Sequence, residues 1–521
     1  MELIQALKTA LLLALMIAAS FGNLWGYKIL GLFPYNGKSH VIMFKSIMEG
    51  LAKRDHDVQV LSHYPLETPL ENYTDLSVSG SIPLPNNQKS FELFDYAHLD
   101  IFNVRSLISL YHRIEEHEDV MKTEAVQKLM NSTERYDLII TESFVTDMTL
   151  GFVNKFKVPF VLLNSCSLPS WTGSLVASPQ NPSFIPHFQS RFSPRMTFSE
   201  RLRNTLGLAT RLAAWYWFFV PQNQRIMNRY FGDNSPALLK IAKNVSLVLV
   251  NTHYSITGSR PFAPNVLEVG GIHIGPPKTL PRDINDFIES STHGVIYFCL
   301  GSLLRAATLP EEKKEAFLNA FSQLKERVLW KFEDDTIIPP NNVMMRKWMP
   351  QRDILAHPKV KLFISHGGLM GTIEAVSEGK PILGMPMTAD QGLNIRALES
   401  QGMAVFLDYQ HIDKKTLMQS MREILKPKYK DRAEEASKIF HDRSMSPMDT
   451  AIYWIEYVIR NKGAGHLRSA AVDLPFYQYL LLDVVIFIIL CLSVMMYLVY
   501  YVLQCTISKR TESKNATKKQ N

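Results

Sequence analysis

The sequence predicts an α/β protein built of two doubly wound domains, followed by one transmembrane helix near the C-terminus. Three features of the 521 residues carry this. Short apolar runs of strand length alternate with helically spaced stretches in two successive sets, the pattern of parallel sheets covered on both faces. The sets are separated by a stretch near 255 to 270 where Gly258, Pro261 and Pro264 concentrate. A 20-residue uncharged apolar run, Val484 to Leu503, is long enough to span roughly 30 Å of hydrocarbon.

The composition is globular, with 46% hydrophobic and 20% charged residues, so disorder is excluded for most of the chain. Lys and Arg exceed Asp and Glu by 56 to 49, a net +7. Part of the excess sits in the last thirteen residues, where Lys509, Arg510, Lys514, Lys518 and Lys519 face only Glu512. The body is only slightly basic, which argues against nucleic-acid binding.

Lys8, the apolar run Thr9 to Phe21 and the small and polar residues up to Gly26 read as a secretory signal peptide over residues 1–26, cleaved between Ser20 and Tyr27. The first set begins at Tyr27 to Phe33, a strand that stops at Pro34-Tyr35-Asn36-Gly37, with helical spacing from Val41 to Lys53. Further strands are expected at Val58 to Ser62, Leu138 to Thr141, Phe160 to Leu163 and Leu247 to Asn251. The second set starts with strand Val295 to Leu300 and helix Glu311 to Lys325, then strands at Val328 to Phe332, Val343, Leu362 to Ser365 and Pro381 to Met385. Residues 27–262 are assigned to the first domain, 263–465 to the second, 466–483 to a juxtamembrane segment, 484–503 to the span and 504–521 to a basic tail. Ligands of open α/β sheets bind beyond the carboxyl ends of the strands, so facing strand ends make a cleft between the two domains.

Asp483 lies upstream of the span, while Tyr497, Tyr500, Tyr501 and the basic tail lie downstream, so the positive-inside bias places the tail in the cytosol and the domains in a lumen. Lys518 and Lys519, at the fourth and third positions from the end, resemble a di-lysine retrieval signal of the endoplasmic reticulum. Asn72, Asn131 and Asn244 begin N-x-Ser/Thr sequons in the lumenal part. Cys166 and Cys299 are the only lumenal cysteines and support no disulfide framework, Cys299 reading as a small buried hydrophobe.

Residues 348 to 391 carry the chemistry. Strand Leu362 to Ser365 ends at His366-Gly367-Gly368, and a helix follows from about Met370 to Ser377. Two glycines let backbone amides approach a ligand, and a helix N-terminus presents unpaired N–H groups, so a diphosphate fits there. Neither a G-x-G-x-x-G fingerprint nor a P-loop is present. Phe-x-Ser-His-Gly-Gly, Glu374, Pro381, Pro386 and Asp390-Gln391, with Trp348-x-Pro-Gln351 upstream, resemble the donor-binding signature of the UDP-glycosyltransferases. The resemblance extends over nearly the whole chain, to the animal membrane-bound members and most closely their arthropod branch. It implies a GT-B fold and inverting, metal-independent transfer from a UDP-sugar, a co-substrate with no separate cofactor, to a small lipophilic hydroxyl compound. By position, Trp348 would stack on uracil, Gln351 would bond to base or ribose, and Glu374 would hold the ribose hydroxyls. Ser302 and His366 with the Gly367 and Gly368 amides would hold phosphates, and Asp390 with Gln391 the sugar.

The attacking hydroxyl must lose a proton as the new bond forms, and His40, after the first strand, resembles the family's catalytic base. A buried carboxylate should orient that base. The family's Asp ends a strand at a position held here by Glu142, with Asp147 the competing choice. A second departure is Met370, where many members place Asn on the diphosphate. The resemblance implies Arg at the position of Asn251 in members using UDP-glucuronic acid, so the neutral amide favours UDP-glucose, with UDP-glucuronic acid as the alternative. A membrane-tethered, non-catalytic binder of hydrophobic small molecules is the reading from another class. The aromatic-rich stretches Phe91 to Leu110 and Leu168 to Tyr230 are expected to wall an acceptor pocket for flat or sterol-like aglycones and to include a membrane-facing surface. A homodimer is in keeping with family behaviour.

Overall fold

The computed structural model describes residues 26–83, 102–302 and 304–518. Nearly all of the expected signal peptide, residues 91–101 of the expected pocket wall, and Lys519 of the di-lysine pair lie outside the described residues.

Residues up to Arg468 form one compact unit containing two parallel sheets. The first consists of β1 (Lys28–Leu32), β2 (Asp57–Ser62), β3 (Tyr73–Ser77), β4 (Leu138–Glu142), β5 (Phe160–Asn164), β6 (Leu247–Val250) and β7 (Val266–Glu268), in the order β3-β2-β1-β4-β5-β6-β7. The second consists of β8 (Val295–Cys299), β9 (Arg327–Lys331), β10 (Val343–Arg346), β11 (Val360–Ser365), β12 (Ile382–Gly384) and β13 (Ala404–Phe406), in the order β10-β9-β8-β11-β12-β13. Central strands such as β4, β5 and β8 are buried at every residue, as expected of parallel strands covered by helices on both faces. β7 falls inside the stretch expected to join the domains and completes the first sheet.

The order of each sheet reverses at one place. In the first, β1 leads to β2 on one side while β4 leads to β5 on the other; in the second, β8 and β11 part in the same way. Such switch points open a crevice at the carboxyl ends of the two strands. The connection after β1 enters α1 (Lys38–Ala52), whose Met43, Phe44, Ile47, Met48 and Leu51 are buried. Each such side chain contributes about 1.5–3 kcal/mol on burial, which fixes the first turn of α1 over the crevice.

Four further helices bear on the site: α2 (Val104–Met121), α3 (Phe198–Ala214), α4 (Leu369–Ser377) and α5 (Gln391–Ser400). Near the end of the unit α6 (Pro447–Arg460) buries Ala451, Ile452, Ile455 and Val458 in the same core as Phe44, Ile47 and Leu51 of α1. The chain therefore returns from the second sheet to the first. Residues 469–521 form a separate unit. Its helix α7 (Leu482–Lys518) contains the apolar stretch Leu482–Thr511, long and apolar enough to cross a membrane, and the helix continues to Lys518, within the residues expected as a basic tail.

Candidate active site

His40 is the third residue of α1, beyond β1, and Glu142 is the last residue of β4, so the first switch point brings them together. His40 Nδ1 lies 2.5 Å from Glu142 Oε1. Ser165, just past the end of β5, completes a triangle: its Oγ is 2.7 Å from His40 Nδ1 and donates to Glu142 Oε1 at 3.1 Å. Glu142 is 4% exposed, so its carboxylate acts on the imidazole with little screening by water. Tyr35 and Phe144 pack on the imidazole, with ring centroids 4.7 and 4.6 Å away.

Asp147 does not join this cluster. Its Oδ1 accepts from Ser143 Oγ at 3.5 Å, and its backbone N–H donates to Asn223 Oδ1. Burial pushes its carboxyl up to about 6. Of the two carboxylates the sequence left open, Glu142 is the one beside the imidazole. Ser165 gave no signal in the sequence, because a serine after a strand belongs to no spacing pattern.

At the second switch point β8 ends before Gly301-Ser302 and β11 ends before His366-Gly367-Gly368. Gly301 has φ +78, and a Cβ there would stand 2.6 Å from the His366 ring; a Cβ on Gly368 would also stand 2.6 Å from it. Glycine is required at both positions for the imidazole to lie between the two turns. Burial lowers His366 to about 4, so it is neutral and carries one N–H to donate. Ser302 is exposed on the rim, and Gly368 is the N-cap of α4.

Glu374 lies on α4, where Gln351 Nε2 donates to its Oε2 at 2.7 Å. Burial holds the Glu374 carboxyl up to about 7, opposed by that hydrogen bond. Trp348, 67% exposed, stands three residues before Gln351 and offers an open aromatic face. Asp390 and Gln391 begin α5. Gln391 Oε1 accepts from the Met387 and Thr388 amides, and Asn394 Nδ2 donates to Asp390 Oδ2 at 3.1 Å. The preceding Ala389 is held at φ +55, a strained setting for a non-glycine residue that sequence reading missed. Burial raises the Asp390 carboxyl, and the charge of His40 acts on it in the opposite sense, so residues of the two sheets face each other across the crevice.

The two departures touch. Asn251, after β6, is fully buried, and its Nδ2 lies 3.2 Å from the Ser165 carbonyl oxygen and 3.0 Å from Met370 Sδ. Beside Tyr35 a cavity opens between α2, α3 and the Pro386–Ala389 loop, with Phe144, Trp171, Arg113, Arg191 and Arg211 in its walls. Part of the Leu168 to Tyr230 stretch thus lines a pocket next to His40. Asn72, Asn131 and Asn244 are all exposed. Cys166 and Cys299 are free and buried, and no group of potential metal ligands occurs among the described residues.

The solved structure of a UDP-glucose:anthocyanidin 3-O-glucosyltransferase in complex with UDP matches 83% of this chain and 99% of its own, with a TM-score of 0.54 at 16% identity, a likeness of fold that identifies the two sheets as a GT-B pair. The chain is 44% identical to UDP-glycosyltransferase UGT5 of Dactylopius coccus, over 92% of this chain and 91% of that one. It is 36% identical to UDP-glucosyltransferase 2 of the same insect, covering 95% and 96%, and 33% identical to UDP-glucuronosyltransferase 2B1 of Rattus norvegicus, covering 87% and 88%. Residues 28–518 match the family described as UDP-glucoronosyl and UDP-glucosyl transferase, and the chain belongs to that family of UDP-glycosyltransferases.

Proposed function

We propose that the protein is an inverting transferase that moves glucose from UDP-glucose to a hydroxyl group of small lipophilic acceptors such as phenols, flavonoids and steroids, for detoxification or clearance. The observation that carries the reading is the His40–Glu142–Ser165 cluster, held by strand ends of the first sheet opposite Asp390 and Gln391 of the second. With Nδ1 turned to Glu142, His40 presents Nε2 to the acceptor. Nε2 takes the hydroxyl proton as the oxygen bonds to the anomeric carbon, the bond from that carbon to the UDP oxygen breaks, and UDP departs with the electron pair. Glu142 stabilises the imidazolium so formed. The Gly368 amide, the His366 N–H and Ser302 offset the charge on the leaving diphosphate, whereas the Gly367 amide already donates to Ser365 Oγ at 3.1 Å. Trp348, Gln351 and Glu374 hold the uridine, and Asp390 with Gln391 the sugar hydroxyls.

In this reading residues 27–262, completed by β7, form the acceptor domain and the remainder of 263–465 the donor domain. Both lie in the lumen of the endoplasmic reticulum behind a cleaved signal peptide, glycosylated at Asn72, Asn131 and Asn244. One span over 484–503 leads to the cytosolic di-lysine tail, and no nucleic acid is involved.

UDP-glucuronic acid is the second reading for the donor. Asn251 offers a sugar carboxylate no charge, but the stem of Arg191 packs against Gly392, one residue past Gln391, and brings a cation to that end of the crevice. Competition between the two donors in microsomes containing the full chain, with phenol, flavonoid and steroid acceptors and a His40→Ala control, decides between them. Glucosides that vanish in the control are expected. Glucuronides would overturn the donor assignment, and UDP binding without transfer would favour a non-catalytic binder.

A further inference from the structure

We propose that the cavity beside His40 takes a planar aromatic acceptor that bears a carboxylate, and that Arg113 binds this carboxylate while the acceptor hydroxyl faces His40. The inference rests on the transferase reading only for the hydroxyl at His40; the binding of an aromatic carboxylate stands on the cavity itself. Tyr35, Phe144 and Trp171 give the walls flat π surface, which suits a flat ligand. The charge of the walls is one-sided: Arg113, Arg191 and Arg211 line the cavity, and among the described residues no Asp or Glu does.

Many arginines of the molecule are neutralised by an acidic side chain. Arg54, Arg346, Arg352 and Arg396 each contact a carboxylate. Among the described residues Arg113 has no such partner, and its Nη1 donates to the neutral Tyr35 hydroxyl over 3.4 Å. A partly desolvated guanidinium with most of its five donors unspent favours a bidentate anion, and the planar carboxylate matches its fork. Arg211 is buried and fixed by its Nη2 bonds to Ser106 Oγ and the Asn103 carbonyl, so it adds a stationary positive field to the same wall.

Tyr35 links the two stations: its ring lies 4.7 Å from the His40 imidazole and its hydroxyl accepts from Arg113 Nη1 at 3.4 Å, so the base and the guanidinium both touch one tyrosine side chain. A hydroxyl and a carboxylate at opposite ends of a fused aromatic acid match the two stations. The carboxylate is bound and not consumed, and the transfer chemistry is unchanged.

The test uses the full chain in microsomes with a hydroxynaphthoic acid and its methyl ester, which differ in charge and little in shape. With UDP-glucose, kcat/KM should favour the acid by roughly tenfold or more, and Arg113→Met should lower it for the acid by roughly ten- to hundredfold, with a loss for the ester at least ten times smaller. Arg113→Lys should fall between. Fluorescence quenching by the acid, measured on the His40→Ala protein, reads binding without turnover. Binding of the acid that Arg113→Met abolishes supports the proposal even if no donor is used, in which case only the transferase reading fails. Equal use and binding of acid and ester by the unaltered chain would overturn it, as would an equal loss for both in Arg113→Met. A rise confined to the KM for UDP-glucuronic acid would assign the cation to the donor instead.

Discussion

Replacing Glu142 by Gln keeps the length and shape of the side chain and removes its charge. In the protein Glu142 Oε1 is bonded at 2.5 Å to His40 Nδ1 and at 3.1 Å to Ser165 Oγ, and the carboxylate is nearly sealed from water. A hydrogen bond to a charged partner is worth about 1.5–3 kcal/mol. In the proposed step the imidazole gains a proton from the acceptor, so this energy acts on the transition state and not on substrate binding. Glu142→Gln is therefore expected to lower kcat by roughly ten- to a hundredfold and to leave the KM for the UDP-sugar within about twofold, and His40→Ala, which removes the base itself, to cost roughly 10²–10⁴-fold. The assay is initial-rate transfer to a phenol in microsomes at saturating donor, normalised to UDP binding. Asp147→Asn should change kcat by less than about threefold. A Glu142→Gln enzyme as fast as the parent, with Asp147→Asn slowed a hundredfold, would refute the assignment and make Asp147 the partner of the base.

Three other outcomes follow from the same geometry. Burial raises the Asp147 carboxyl from its ordinary 3.8 to about 6, so its ionised form opposes folding, and the cost appears as pH rises through that interval. Asp147→Asn should then stabilise the protein by up to roughly 3 kcal/mol above pH 6 and by almost nothing near pH 4, read as the difference in Tm at the two pH values. With the Glu374 carboxyl held up to about 7, raising the pH from 6 to 8 ionises the group that would hold the ribose diol, so UDP should bind several-fold more tightly at pH 8, a gain that Glu374→Gln abolishes in calorimetric titrations. Gly301→Ala would push a methyl to 2.6 Å from His366 at a positive φ, and should raise the Kd for UDP by roughly tenfold, whereas Gly275→Ala, with nothing within 4 Å, should not.

Much of this arrangement is legible in the residues because buried parallel strands leave continuous apolar runs. Val295 to Cys299 and Phe160 to Asn164 are buried throughout and stand out for that reason. Tyr73 to Ser77 does not, being a half-exposed edge strand with no apolar run, and Val266 to Glu268 and Ala404 to Phe406 are too short to show a period. The packing of α6 against α1, across some 400 positions of sequence, is set by no local pattern. Among site residues, the glycine turn between strand and helix shows in the local pattern and the charged groups come through the family resemblance, while Ser165, Tyr35 and Phe144 reach His40 only through the fold. The same holds for the choice between Glu142 and Asp147, which the sequence leaves open and the register of β4 beside β1 decides.

Asn251 and Met370 look in the sequence like two separate losses, one of a cation and one of a phosphate contact. In the protein they are a single contact between the two sheets. Asn251 Nδ2 reaches both Met370 Sδ on the helix that follows the glycine turn and the carbonyl of Ser165, whose hydroxyl is bonded to His40 and Glu142. The amide thus ties the base cluster to the start of α4. An arginine at 251 would have to place its charge where a fully buried amide and a thioether now meet, and an unpaired charge there would cost several kcal/mol. The pair therefore does more than withhold an attraction from a sugar carboxylate: it fills the space from which that attraction would come. A cation for the donor, if this chain supplies one, has to come from the opposite wall, where Arg191 lies against α5. The residue read as a lost phosphate contact, Met370, is thus also one side of a contact between the first sheet's Asn251 and the helix that follows the glycine turn.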